Sequence, residues 1–251
     1  QIAEKIACPV RITFSGSGGH AANPVKHGAM AKLGRALLAL NNKSLPMHGT
    51  MPVKEMVNKI ASGFGGMTGF LFRQLLNPVI SPFLFRILGK QVSMFSPLLH
   101  NTVSPTILSA SDKFNVIPSK VELVLDGRLL PGFSNLEMEQ ELRKILGDDC
   151  ILESDLPHPG PTTADMGLFQ DLAFSLSQLD PSGIPVPYVN PAETDARFFS
   201  RLGIQTYGFT PLQLPSGFNF ISTVHAADER VPVAALDFGT QAVYSVLQRF
   251  H

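Results

Sequence analysis

The order of hydrophobic periods between residues 9 and 156 leaves this chain few folds. Residues 10–14, VRITF, alternate apolar and polar positions, and the run SGSGGH behind them ends that strand in a glycine-rich turn. Over residues 26–42, Met30, Leu33, Leu37, Leu38 and Leu40 recur at mostly helical spacing, with Asn23-Pro24 offering a cap and a first-turn proline. PTILSAS at 105–111 and KVELVLDGRLLP at 120–131 flank a polar turn at Asp112-Lys113 and predict two sequential antiparallel strands. NLEMEQELRKILG at 135–147 places Leu136, Met138, Leu142, Ile145 and Leu146 on one helical stripe closed by Gly147, and CILESDLP at 150–157 is one more short strand. Strand, helix, strand, strand, helix, strand is the order of a ferredoxin-like unit with both helices on one face of an antiparallel sheet.

Residues 157–251 follow another rule. Helix (165–179), strand (186–191), helix (194–203), strand (204–211) and a final helix (231–250) alternate as in an α/β layer with parallel strands, too few to close a sheet alone. The expected organisation is an α+β lid over 9–156, interrupted by an insertion at about 46–100, followed by an α/β segment over 157–251.

The insertion is rich in phenylalanine, with Phe64, Phe70, Phe72, Phe83, Phe85 and Phe95 beside the isolated cations Arg73 and Arg86. Phe and Leu at helical spacing predict helices packed on the domain; the same pattern suits a helix in a membrane interface or an acyl-binding channel. With 20 Lys+Arg against 20 Asp+Glu the chain has no basic field for a phosphate backbone, so nucleic acid is not an expected partner. Cys8 and Cys150 form neither a disulfide framework nor a paired zinc motif. The opening residues QIAEKIACPVRITF match no signal-peptide pattern and read as the middle of a longer protein.

Three places combine polar side chains with special backbone. In the first, the turn at 15–22 would leave N–H groups free and present His20 at the entrance to a helix, as an oxyanion donor or as a structural histidine. In the second, Asn115 precedes a run in which Arg128 is either a planar donor for a substrate carboxylate or a partner of Asp126 or Glu122. The third joins Thr194, Asp195 and Arg197 to His225 and Glu229; His225 is a metal ligand with neighbouring acids, or a surface histidine.

Together GSGGHAANP, KFNVIP with DGRLLP, ETDARFFSRLGIQTYGFTP and VHAADERV resemble, in order, the co-catalytic zinc peptidase family of clan MH, family M20, which includes aminoacylase, acetylornithine deacetylase, succinyl-diaminopimelate desuccinylase and carboxypeptidase S. The long apolar insertion and LLPG after Arg128 look most like the carboxypeptidase S and N-fatty-acyl-amino-acid hydrolase branch. The resemblance implies a two-zinc active site, His225 as a zinc ligand, Glu229 orienting it, and His20 as an oxyanion donor reaching a neighbouring subunit in a homodimer formed through the lid. It also implies substrate contacts from Asn115, Arg128 and Arg197, with Thr194 and Asp195 shaping the turn, on a peptide or N-acyl amino acid. The family's H-x-D and Glu-Glu motifs are absent from these 251 residues, so five of its six metal-site groups are missing. The expectation is the C-terminal part of a zinc-dependent amidohydrolase, inactive alone; the alternative is a non-catalytic ferredoxin-like dimerisation or ligand-binding module.

Overall fold

The computed structural model describes residues 1–89, 92–155, 166–220, 222–224 and 226–249. Its central element is β7 (Lys120–Leu129), whose alternation buries Val121, Leu123, Leu125 and Leu129 on one face and leaves charges on the other. On one side β7 pairs antiparallel with β5 (Thr102–Ser109), and on the other with β2 (Ile6–Ala7) and β3 (Val10–Ser15). β2 and β3 keep a single register on β7, and the gap between them falls at Pro9, which has no N–H to donate. β8 (Ile151–Ser154) closes the far side of β3. The sheet order β5-β7-β3-β8 is the ferredoxin-like order expected from the sequence.

Two helices cover the buried face. α1 (Ala29–Asn42) turns Ala29, Leu33 and Ala36 inward, and α6 (Asn135–Leu146) contributes Met138 and Leu142 to the same core as Val10, Ile12 and Phe14. Helix α6 is well signalled locally: Ser134 and Glu137 form a reciprocal capping box, and Gly147 ends it at φ 73°. Helix α1 begins later than its sequence suggests. Asn23 is held in a turn by its N–H to the His20 carbonyl, and the N-cap is Gly28, so Asn23-Pro24 caps nothing.

Across the ladder, Cys8 and Gly127 approach so closely that a Cβ at Gly127 would lie 2.2 Å from the Cys8 carbonyl oxygen. Gly127→Ala is therefore expected to cost about 2 kcal/mol, because the clash is with backbone and β7 is locked on both sides. Urea denaturation checks this; a loss below ~0.5 kcal/mol would show that the two strands spread freely.

The insertion forms α2 (Met51–Phe64), α3 (Gly66–Arg73), α4 (Ser81–Leu88) and α5 (Ser96–Leu99). Val53, Met56 and Val57 of α2 pack with Leu98, Leu99, Ala3 and Val189 into a second core. Its root is closed by an antiparallel bridge between Met47 and His100, by the His48 N–H to Leu99 carbonyl bond at 2.6 Å, and by His100 Nδ1, 2.8 Å from the Leu45 carbonyl.

Near the chain start, β1 (Ala3–Glu4) pairs in parallel with β9 (Val189–Asn190). α7 (Phe169–Leu179) and α9 (Val233–Arg249) pack together, with Arg249 4.0 Å over the Phe174 ring, and α8 (Ala196–Ser200) is a single short turn. The strand expected at 204–211 does not form. That segment meets the chain start at one residue pair, the Gly208 N–H donating to the Gln1 carbonyl and the Gln1 amino group to the Gly208 carbonyl, rather than in a ladder. Two paired residues give an extended segment too little to pair with.

Candidate functional site

β4 (Gly19–His20) pairs antiparallel with β6 (Val116–Ile117), setting His20 opposite Val116. The Ala21 N–H donates to the Asn115 carbonyl at 3.0 Å, so two site residues 95 positions apart become neighbours at one exposed tip. The Ala22 N–H donates to His20 Nδ1 at 3.2 Å. An accepting Nδ1 places the proton of the neutral ring on Nε2, which points its donor away from the turn.

Gly16 and Gly18 of this turn serve close approach, while a Cβ at Gly19 would meet nothing within 4 Å. A Cβ at Gly16 would sit 2.6 Å from the Ala29 nitrogen, and one at Gly18 2.8 Å from the Ile117 carbonyl oxygen. The Gly16 N–H, expected to be free, is taken by the Ser119 carbonyl at 2.9 Å.

Arg128 lies at the other end of β7, opposite Ala7 and Thr102. Its Nε and Nη2 donate to Asp126 Oδ1 and Oδ2 at 2.8 and 3.1 Å, so of the two readings of this guanidinium the internal pair is the one made. Nearby, the wholly buried Lys5 donates from Nζ to the Pro97 and His100 carbonyls, both at 2.9 Å, and to Thr102 Oγ1 at 2.8 Å. Burial pushes its ammonium down to about 7, Arg128 adds to the effect and Asp126 opposes it.

The Thr194-Asp195-Ala196-Arg197 turn is bolted to the residue before Lys5. Glu4, 1% exposed, accepts through Oε2 from the Thr194 N–H at 3.1 Å and from its hydroxyl at 2.5 Å. Thr194 Oγ1 in turn accepts from the Ala196 N–H at 3.2 Å, and Asp195 stands at the entrance to α8 without a side-chain cap. Arg197 Nη1 reaches the Thr194 carbonyl at 3.1 Å and Glu193 Oε2 at 3.3 Å, and the guanidinium lies 4.4 Å over the Phe198 ring. Glu4 Oε1, Glu193 Oε1 and Arg197 Nε are buried without a hydrogen-bond partner. Buried polar atoms of this kind call for water or another polar group beside them.

The structure thus sorts the expected residues into two groups, His20 with Asn115 at the tip and Arg128, Thr194, Asp195 and Arg197 around the β1–β2 joint. His225 lies outside the described residues. Glu229 is exposed in a turn closed by its N–H to the Ala226 carbonyl, next to the Asp228–Arg230 ion pair. Among the described residues no three His, Cys, Asp or Glu side chains converge as a metal site, so those residues do not fit a two-zinc centre. Sequence reading missed Glu4 and Lys5, which sit in the plain segment AEKIA with no periodicity to mark them as buried.

The peptidase dimerisation domain of the M20 family matches residues 2–151. Over 98% of its length the chain is 26% identical to half of the N-fatty-acyl-amino acid synthase/hydrolase PM20D1 of Bos taurus. A probable carboxypeptidase S-like protein of Dictyostelium discoideum is 24% identical over 92% of this chain and 44% of its own. Among solved structures, the M20 family metallo-carboxypeptidase Sso-CP2 of Sulfolobus solfataricus shares the fold at a TM-score of 0.53 and 14% identity, covering 98% of this chain and 57% of that one. The chain spans about half the length of the curated relatives it matches. With the M20 peptidase dimerisation domain matching more than half of its length, this chain belongs to the M20 peptidase family.

Proposed function

We propose that the chain is the lid and C-terminal part of an M20 amidohydrolase that cleaves a peptide or N-acyl-amino-acid bond beside a free carboxylate, working as a homodimer through the lid. The observation that carries this reading is the β4–β6 pairing, which sets His20 beside Asn115 at an exposed tip while Arg128 stands at the opposite end of β7. Eight residues of strand separate Lys120 from Arg128, about 27 Å. One rigid ladder does not bring both ends to one substrate, so His20 serves the site of a neighbouring protomer.

At that site the Nε2–H of His20 donates to the oxygen on which charge develops as the amide carbon becomes tetrahedral, and Asn115 positions the same end of the substrate. Arg197 keeps one edge on Glu193 and offers the other to the substrate carboxylate, while Arg128, clamped by Asp126, lends positive charge to the joint. Glu4 and Thr194 hold the turn that aims Arg197. Zinc is the metal the family resemblance implies, with His225 as this chain's one ligand and Glu229 behind it. The described residues build no such centre, and the chemistry derived above uses only the chain's own donors. The fatty-acyl amino acid named in the bovine relative makes that substrate class the first to assay.

In a polypeptide of the relatives' length, His20→Ala is expected to lower turnover by ~100-fold with metal content unchanged. Mixing His20→Ala with Arg197→Ala protomers should restore about a quarter of wild-type activity, since half the random dimers hold one site with both residues intact. No recovery on mixing would place His20 in its own protomer's site. Absence of turnover from the full-length protein on dipeptides and N-fatty-acyl amino acids would leave the non-catalytic module as the reading.

A further inference from the structure

Helix α3 is packed the wrong way round for a globular interior. Its buried position is Gly69, where a Cβ would lie 2.3 Å from the Ala61 carbonyl oxygen, so α3 folds back on α2 through its smallest residue. That contact turns the bulky stripe outward: Met67, Phe70 and Leu71 are 72, 55 and 48% exposed. Helix α4 repeats the pattern, burying Ser81 while Phe83 and Ile87, one turn apart, are 62 and 61% exposed. Val79, between the two helices, is also exposed. Phe72 and Phe85 pack on the second core, while the exposed apolar residues of these two short helices mark a binding surface.

The charges around the face select its occupant. Between Glu55 and Asp112 the sequence has no acidic residue, while Lys59, Arg73, Arg86 and Lys90 fall there, in a chain whose total formal charge is zero. Arg73 and Arg86 are exposed in the last turns of α3 and α4, next to the apolar stripe. A second copy of the chain would set these cations against one another across a symmetric contact. Anionic headgroups would pair with them while the aromatic and aliphatic side chains enter the acyl boundary. Each of these helices is about 12 Å long, and among the described residues no helix is long and apolar enough to cross a membrane, so the face lies along the surface.

We propose that the exposed face of α3 and α4, with Arg73 and Arg86, docks this protein on an anionic lipid bilayer. The inference stands on the insertion alone and is independent of the hydrolase reading. Co-flotation with phosphatidylcholine vesicles, with and without about a third phosphatidylserine, tests it. Recovery on the anionic vesicles should exceed that on neutral ones by about tenfold and fall as salt rises from ~0.1 to ~1 M. The double variant Arg73→Glu, Arg86→Glu should drop recovery to the neutral level, and Phe70→Ser, Phe83→Ser should abolish it on both. Leu236→Ser, Tyr244→Ser, on the exposed side of α9, should leave recovery unchanged. Equal recovery on both vesicles, loss in the α9 variant, or a dimer in sedimentation that Phe70→Ser, Phe83→Ser dissociates would each overturn the proposal.

Discussion

Glu141→Ala is expected to lower the unfolding free energy by about 3 kcal/mol, the cost of stripping the central acceptor from a buried hydrogen-bond network. Glu141 is 6% exposed on α6, with Oε1 2.5 Å from His48 Nε2 and Oε2 accepting from Asn101 Nδ2 at 3.2 Å. Asn101, 1% exposed, also accepts the Leu130 N–H through Oδ1 at 2.8 Å. One carboxylate therefore ties together α6, the end of β7 and both ends of the 46–100 insertion, whose closure carries the entropy of a loop of some fifty residues. His48 also stacks on Phe133, ring centroids 4.4 Å apart, and keeps part of its environment when the acid is gone. At this chain length the loss corresponds to a fall in Tm of about 6–12 °C. Glu141→Gln, which can still accept from Asn101, should lose roughly half as much. A thermal scan showing Glu141→Ala within a degree or two of wild type would mean that the insertion is held by its apolar core alone.

The elements that announced themselves in the sequence are those whose neighbours repeat. β7 reads as a strand because every second side chain enters one core, and α6 because a capping box and a C-terminal glycine bracket a regular stripe. Helix α1 was legible except at its start, where an Asn-Pro pair and a later glycine both offer a beginning and the turn around His20 decides for Gly28. Glu141 falls between the apolar positions of α6, where nothing in the sequence marks it as buried; only the insertion returning at Asn101 makes it internal. The pairing of His20 with Asn115 is long-range and carries no periodicity; neither spacing nor the family resemblance, which sets Asn115 beside Arg128, indicates it. Phe and Leu at helical spacing in α3 and α4 predict packing on the domain, and Phe72 and Phe85 do pack on the second core, but the close contact at Gly69 leaves Met67, Phe70 and Leu71 of α3 outside it. Arg128 was ambiguous because Asp126 shares its face of the strand, and the bidentate geometry resolves the pair.

Lys5 carries the strongest pH dependence expected of this fold, with a sign that follows from its burial. Its ammonium, near 10.5 when unfolded, is pushed down to about 7 in the folded chain, mainly by burial. Between those values the unfolded chain holds a proton that the folded chain has released, so stability rises with pH across that window. Below about 7 both states are protonated and the whole cost persists; above 10.5 it is gone. At about 1.4 kcal/mol per decade the full span is on the order of 5 kcal/mol. Cys8, pushed up to about 11 by burial with Glu139 and Asp155 adding to it, works the other way above pH 9, where the unfolded thiol ionises first. The comparison that isolates Lys5 is therefore wild type against Lys5→Met by urea denaturation, in which the Cys8 contribution cancels. The advantage of wild type should grow by about 2–3 kcal/mol between about pH 7 and pH 9. It should be smallest at the acid end, where methionine escapes the cost of a buried charge but leaves the Pro97 and His100 carbonyls without their donor. A difference that stays flat with pH would show that three acceptors keep Lys5 charged throughout. Because Lys5 joins β1 to β2 and grips the end of the insertion, such a result would make this joint a permanent ionic anchor rather than one whose strength varies with pH.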